Sequence, residues 1–140
     1  MKIQTHFYTL TPYVNLLHIK SFLSWDERVV LQHFTDLKPL VLQFYMGKKW
    51  GLLHDARNWE LSTPESERLS NKLVRTEITG TLTHQAVVTG KSELQKWQAR
   101  NIFKEVTNYE VEFFTDTEAA VDWLASAGYH MIPIKDDDTL

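Results

Sequence analysis

Four helix starts are written into this chain, and each follows a run of strand-forming residues. Ser24-Trp25-Asp26-Glu27 and Ser92-Glu93-Leu94-Gln95 have the form of a capping box, in which two side chains satisfy each other's exposed backbone N–H groups. Thr63-Pro64-Glu65 sets a capping threonine ahead of a proline at the first helical position. Asp116 or Thr117 caps the last helix. His6 to Thr9 and Tyr13 to Lys20 flank the turn signal Thr11-Pro12 and read as an opening hairpin. A central strand spans about 49 to 55, a short buried one runs from Gln85 to Thr89, and a partly alternating, edge-type strand from Tyr109 to Thr115. Strands that alternate with helices imply a mostly parallel sheet joined by right-handed crossovers. The expectation is an α/β fold in the order ββαβαβαβα, with a mixed, mostly parallel sheet of about five strands and four helices.

Helical spacing assigns the inward faces. Val30, Phe34 and Leu37 recur on the first helix, which Pro39 should kink or break before Leu40 to Met46 continue it and Gly47 ends it. Leu69 and Leu73 mark the second helix; Leu94, Trp97 and Ile102 the third; Ala120, Val121, Leu124 and Ala127 the fourth. Residues 1–130 read as a single domain, and 131–140, with Lys135-Asp136-Asp137-Asp138, as an acidic tail.

Composition removes several function classes. At 140 residues and 43% hydrophobic the chain can bury one sizeable core. A net charge of -3 gives no electrostatic footprint for nucleic acid. There are no cysteines, so disulfides and thiolate chemistry are excluded. No apolar run approaches the ~18 residues of a transmembrane segment, and the first residues lack the apolar centre of a signal peptide, so a cytoplasmic location is expected. The six histidines stand singly, with neither H-x-x-x-H nor H-E-x-x-H spacing, and no nucleotide or nucleophile-elbow motif occurs. Neither a metal nor a cofactor is expected, and no catalytic residue is assigned.

The candidate site lies between the central strand and the second helix, because ligands gather where strands of an α/β sheet end and helices begin. His54, Asp55, Arg57 and Asn58 form a polar cluster there, read as a loop. His54 and Asp55 are adjacent and point to opposite faces of an extended chain. Asp55 and Arg57 are placed to form an ion pair. Trp59 offers apolar area for a pocket wall or a binding anchor. Ser62 and Thr63 sit at the helix start, where a cap is the expected role and an anion or phosphate is also favoured.

Trp50-x-Leu52-Leu53-x-Asp55-x-Arg57-x-Trp59, followed by Leu61-x-Thr63-Pro64-Glu65, resembles the strand-loop-helix signature of the SpoIIAA-like (STAS-like) family of small bacterial proteins. Lys96-Trp97-Gln98 is similar to that family's third-helix start, and Phe113-Phe114-x-Asp116 with Ala119-Ala120-x-x-Trp123-Leu124 to its last strand and helix. The resemblance implies the STAS sheet-and-helix fold, itself similar to the CRAL-TRIO lipid-binding fold. It also implies a phosphorylatable position at Ser62 or Thr63, although the paired serines and glycine of the anti-anti-sigma motif are absent.

The expected function is a non-catalytic binding or regulatory module that recognises a protein partner or a small apolar or anionic ligand through residues 54–66. A carrier of a small lipid-like molecule in a cleft between helices and sheet is the alternative. An enzyme would require His54, Asp55 or Arg57 to converge on one pocket. A homodimer is expected from the aromatic content and from the prevalence of twofold oligomers.

Overall fold

The computed structural model describes residues 2–60, 62–76 and 80–135. Its sheet has six strands, β1 (Ile3–Gln4), β2 (Tyr8–Pro12), β3 (Leu16–Leu23), β4 (Trp50–Trp59), β5 (Leu82–Thr89) and β6 (Glu110–Phe114), arranged in sequence order. β1, β2 and β3 pair antiparallel; β3 through β6 pair parallel. The sheet is mixed and mostly parallel as expected, with one strand more. The addition is β1, a two-residue strand against β2 that turns the expected hairpin into a three-stranded meander.

Four helices complete the fold: α1 (Glu27–Phe44), α2 (Pro64–Thr76), α3 (Glu93–Phe103) and α4 (Thr117–Ser126). α1, α2 and α3 are crossovers between neighbouring parallel strands. When such crossovers are all right-handed and the strand order never reverses, they fall on the same side of the sheet. The main core lies beneath these three helices, with Leu17, Ile19, Leu37, Leu52 and Val87 among its buried members. α4 covers the opposite face, where Leu16, Leu53, Ala86, Val88, Ala120 and Leu124 form a smaller cluster.

Local chemistry sets the helix ends. α1 is capped by Asp26, whose Oδ1 accepts from Val29 N at 3.1 Å, rather than by Ser24. The reason lies in Trp25, which is buried and donates its indole N–H to Phe22 O at 3.0 Å, so the helix begins after it. α1 runs unbroken through Pro39. The ring removes one N–H, and the neighbouring Leu37, Leu40 and Phe44 hold the helix to the core by burial. Thr63 does cap α2, accepting from Ser66 N at 3.1 Å, and Ser92 and Asp116 cap α3 and α4. Tyr45, just past α1, stacks on Trp50 at 4.7 Å, and its single hydroxyl proton is shared between Tyr13 O at 2.8 Å and Leu16 O at 3.0 Å. That clamp docks the end of α1 onto the start of β4.

The inward face of α3 differs from the expectation. Leu94 and Trp97 are exposed, and Gln98, Ala99, Ile102 and Phe103 are buried. The sequence favoured the bulkier side chains, whereas the helix turns its amide and its small residue toward the sheet. After α4, Gly128 adopts a φ of 96° and turns the chain back so that Tyr129 lies on β4. Val14 N then donates to Ile132 O at 2.9 Å, which ties the 129–135 segment to the β2–β3 turn. Asp136 to Asp138 of the acidic tail lie outside the described residues. Among the described residues, no helix is long and apolar enough to cross a membrane.

Gly51 is the tightest point of this packing, since a Cβ there would stand 2.8 Å from the Tyr129 ring. Gly51→Ala is expected to destabilise the fold by about 1–3 kcal/mol through overpacking. In a Tyr129→Ala background the same change should cost clearly less, a coupling that a denaturation double-mutant cycle measures. Equal costs in both backgrounds would show that the ring is not what confines position 51.

Candidate functional site

β4 determines what faces what. It continues through Trp59, so the polar cluster expected in a loop belongs to the strand. Alternation sends Leu52, His54 and Ala56 toward α1, α2 and α3, and Leu53 and Asp55 toward the other face. The β3–β4 register then slips. From the pair Lys20–Asp55 to the pair Phe22–Asn58, β3 advances by two residues and β4 by three. The extra residue reverses the alternation, which brings Trp59 to the same side as His54.

On that side lies a cavity between the sheet and the three helices. The centre of a water-sized sphere can move through about 60 Å³ of it. Trp25, Phe34, Trp59 and Phe103 supply aromatic wall, and Ile19, Leu52 and Val87 supply aliphatic wall from the sheet. Six polar residues interrupt this surface: Ser21 on β3, His54 on β4, Gln85 on β5, His33 on α1, Ser70 on α2 and Ser62 just before α2. Ser21 Oγ and His54 Nε2 share a hydrogen bond of 2.5 Å. His33 Nδ1 and Gln85 Oε1 are buried without a hydrogen-bond partner, an arrangement native cores generally avoid. His33 is packed by the rings of Tyr8, Trp25 and Phe34.

The cavity carries no formal charge. Burial pushes the His33 imidazole down to about 3, helped by the nearby His54. Burial likewise holds His54 at about 4, against a smaller opposing pull from the charge of Asp55. A histidine so hard to protonate is a weak general base near neutrality, so the contact with Ser21 provides orientation and hydrogen bonding rather than an activated nucleophile.

The opposite face of β4 holds different chemistry. Arg57 donates from Nε to Asp55 Oδ1 at 2.9 Å, from a terminal nitrogen to Oδ2 at 2.8 Å, and from its backbone N to Oδ1 at 3.1 Å. Asp55 is buried, which alone would raise its pKa, but the three Arg57 contacts and the guanidinium charge hold it below the ordinary value. His18 stands on this side as well, lowered to about 4 by burial and by Lys20. His54, Asp55 and Arg57 therefore do not share a pocket.

The remaining expected residues sit where β4 passes into α2. Trp59 is buried as part of the cavity wall, and Ser62 also lines the cavity. Ser62 is gripped through its backbone, donating N–H to Gln98 Oε1 at 2.8 Å and accepting from Gln98 Nε2 at 2.9 Å. Gln95 Nε2 donates to Trp59 O at 2.5 Å. Thr63 is exposed and occupied as the cap of α2. Away from this cavity, Phe44 and Tyr45 pack in the core and Met46 faces solvent. Sequence reading missed Ser21, His33, Gln85 and Gln98. A signal existed for two of them, since Ser21 follows Ile19 and Gln85 precedes Val87 at the two-residue spacing of one strand face.

Three histidines with lowered pKa values, buried His33 and half-buried His18 and His54, weigh on the acid stability of the fold. The unfolded chain protonates them near the ordinary 6.5 and the folded chain only near 3 to 4, so protons favour unfolding between those values. Their stabilising contribution is complete above pH 6.5 and is lost progressively as the pH falls. Acid unfolding followed by circular dichroism is expected at about pH 4–5. His33→Phe should move that midpoint lower; an unchanged midpoint would show that His33 does not contribute.

No protein-family model matches this chain, and no curated protein matches it. Solved structures do. An uncharacterised DUF3478-family protein with a SpoIIAA-like fold from Shewanella loihica is 21% identical over 89% of this chain and 98% of its own, with a TM-score of 0.61. The anti-sigma factor antagonist SpoIIAA in its unphosphorylated form is 12% identical over 84% of this chain and 97% of its own, with a TM-score of 0.52. The meander leading into consecutive parallel strands, and the placement of helices around them, is the architecture the signature around Trp50–Glu65 implied: the chain has the SpoIIAA-like fold.

Proposed function

We propose that this protein is a non-catalytic binding module whose ligand occupies the cavity beneath α1, α2 and α3. The observation that carries this reading is an unfilled space in the core with unpartnered polar atoms in its wall. Protein interiors pack to the density of organic crystals and leave few voids larger than a water. Here the space suits about four waters or one ring-sized molecule, too little to hold the whole of a long acyl chain. The small-ligand form of the sequence expectation is thereby favoured over the lipid-like carrier. An anionic ligand is disfavoured in this cavity, which offers no cation to pair with it.

Ala99 on α3 lines the cavity and is small, so Ala99→Leu fills it. Thermal unfolding against a panel of small uncharged compounds tests the reading. A ligand at ~100 times its Kd should raise the Tm of the parent protein by about 10 °C. The Ala99→Leu protein should show no shift. Equal shifts in both proteins would place binding elsewhere.

A second reading, protein recognition by α3, is favoured by Leu94 and Trp97, which lie on adjacent turns and are 54% and 59% exposed. Aromatic residues of this kind anchor interfaces. One structure with this fold is an antagonist of an anti-sigma factor, a protein named for its action on another protein. In this reading the partner is a second copy of the chain. Sedimentation equilibrium should report a dimer for the parent and a monomer for Trp97→Ser, and a monomeric parent would rule out self-association through α3.

A further inference from the structure

The face of the sheet turned away from the cavity is only partly roofed. There α4 packs against β4, β5 and β6. On the meander, Leu10, Leu17 and Ile19 belong to the main core, so alternation turns Thr9, Thr11, His18 and Lys20 to the α4 side. Strand register orders these side chains. Gln4 pairs with Thr9, Thr9 with Lys20, and Lys20 with Asp55, which makes one row across β1 to β4. Thr11 and His18 stand together in the row beside it. Neighbouring strands are about 4.8 Å apart, so Lys20 lies next to the Asp55–Arg57 pair.

Positive charge collects on this surface although the chain as a whole carries -3. Lys20, and Lys2 just ahead of β1, are exposed, and neither makes an ion pair among the described residues. Arg57 is half exposed, and the carboxylate of Asp55 beneath it already accepts from it through both oxygens. Asp116, at the start of α4, is a further acid whose charge reaches Arg57. His18 feels the local field directly. After burial, Lys20 is the largest influence holding its imidazole down, Asp55 opposes it, and Arg57 and Lys2 add to it. Three cations on separate elements therefore surround one half-buried histidine, whose Nε2 is itself without a hydrogen-bond partner.

The shape of the surface narrows what it can hold. Small-molecule sites are concave, whereas this is the side of a sheet. Lys2 and Lys20 belong to chain segments two strands apart, roughly 10 Å, and carboxylates on alternate residues of an extended peptide are about 7 Å apart. Flexible lysine side chains bridge that difference, so successive carboxylates on one peptide reach both.

We propose that the α4-side face of β1, β2 and β3 docks an extended acidic segment of a partner protein, with Lys20 and Arg57 facing one carboxylate and Lys2 another. The surface is independent of the cavity, which opens on the other side of β4, so either can fail without the other.

Nuclear magnetic resonance on the full chain at low salt tests the assignment with a capped hexaglutamate peptide as the probe. Amide signals of Thr9, Thr11, His18 and Lys20 should shift saturably, and the His18 imidazole should titrate above its starting value of about 4. Capped hexaglutamine should produce neither change. Lys2→Gln combined with Lys20→Gln should weaken the acidic peptide by about tenfold, whereas Lys48→Gln with Lys49→Gln, an exposed pair beyond α1, should leave it within about twofold. Circular dichroism establishes that both variants fold. Equal weakening in the two variants would reveal general attraction and overturn the docking surface. Inorganic phosphate shifting the same amides with comparable affinity would make it a small-anion site instead. If Asp136→Asn, Asp137→Asn and Asp138→Asn together strengthen the peptide tenfold, the chain's own acidic residues are the occupant and the partner assignment fails. Absence of shifts on β2 and β3 rejects the surface outright.

Discussion

One extra residue in β4, between Asp55 and Asn58, determines how the two faces of this sheet divide their chemistry. In strict alternation Asn58 would share the side of His54, and Trp59 would turn to the face of the Asp55–Arg57 pair. The bulge exchanges them. An indole closes the end of the cavity, and an amide is left at the surface. The chain then leaves the sheet with Trp59 O and both backbone groups of Ser62 held by Gln95 and Gln98 of α3. The helix that follows β5 thus fixes the connection that follows β4, and the cavity wall is completed by elements distant in sequence.

The uniform strand order has a second effect. Because three successive crossovers lie on one side, that side is thick enough to enclose space, while α4 covers part of the other. Charges are distributed accordingly. The thick side contains neutral polar groups, and the thinner side carries the ion pair, with Arg57 reaching solvent and Asp55 buried beneath it. A charged pair with one partner at the surface is tolerated, because water still solvates the guanidinium. The same pair under three helices would require complete desolvation.

Much of the architecture is legible in the sequence because it depends on local chemistry. The caps at Thr63, Ser92 and Asp116, and the strand runs before them, are encoded within a few residues and appear where expected. The departures arise where distant contacts compete with local preference. Burial of Trp25 moves the start of α1 to Asp26, and core packing carries α1 through Pro39. On α3, hydrogen bonds from Gln95 and Gln98 to the 59–62 connection turn the amides inward and leave Leu94 and Trp97 outside. The cavity was legible only in fragments. His54, Trp59 and Ser62 stand out in the sequence, but Ser21 and His33 join them through strand register and helix packing, which spacing along the chain does not reveal.

The grip of α3 on the 59–62 connection also bears on how quickly a molecule moves in and out. Each roofing helix is joined at both ends to strands of the sheet, so none is hinged at a single end as a flap would be. Any widening of the space beside the 59–62 connection must loosen the Gln95 and Gln98 contacts. Collective movements of packed helices take roughly microseconds to milliseconds. The walls of this space are therefore as slow to rearrange as the packed helices that form them.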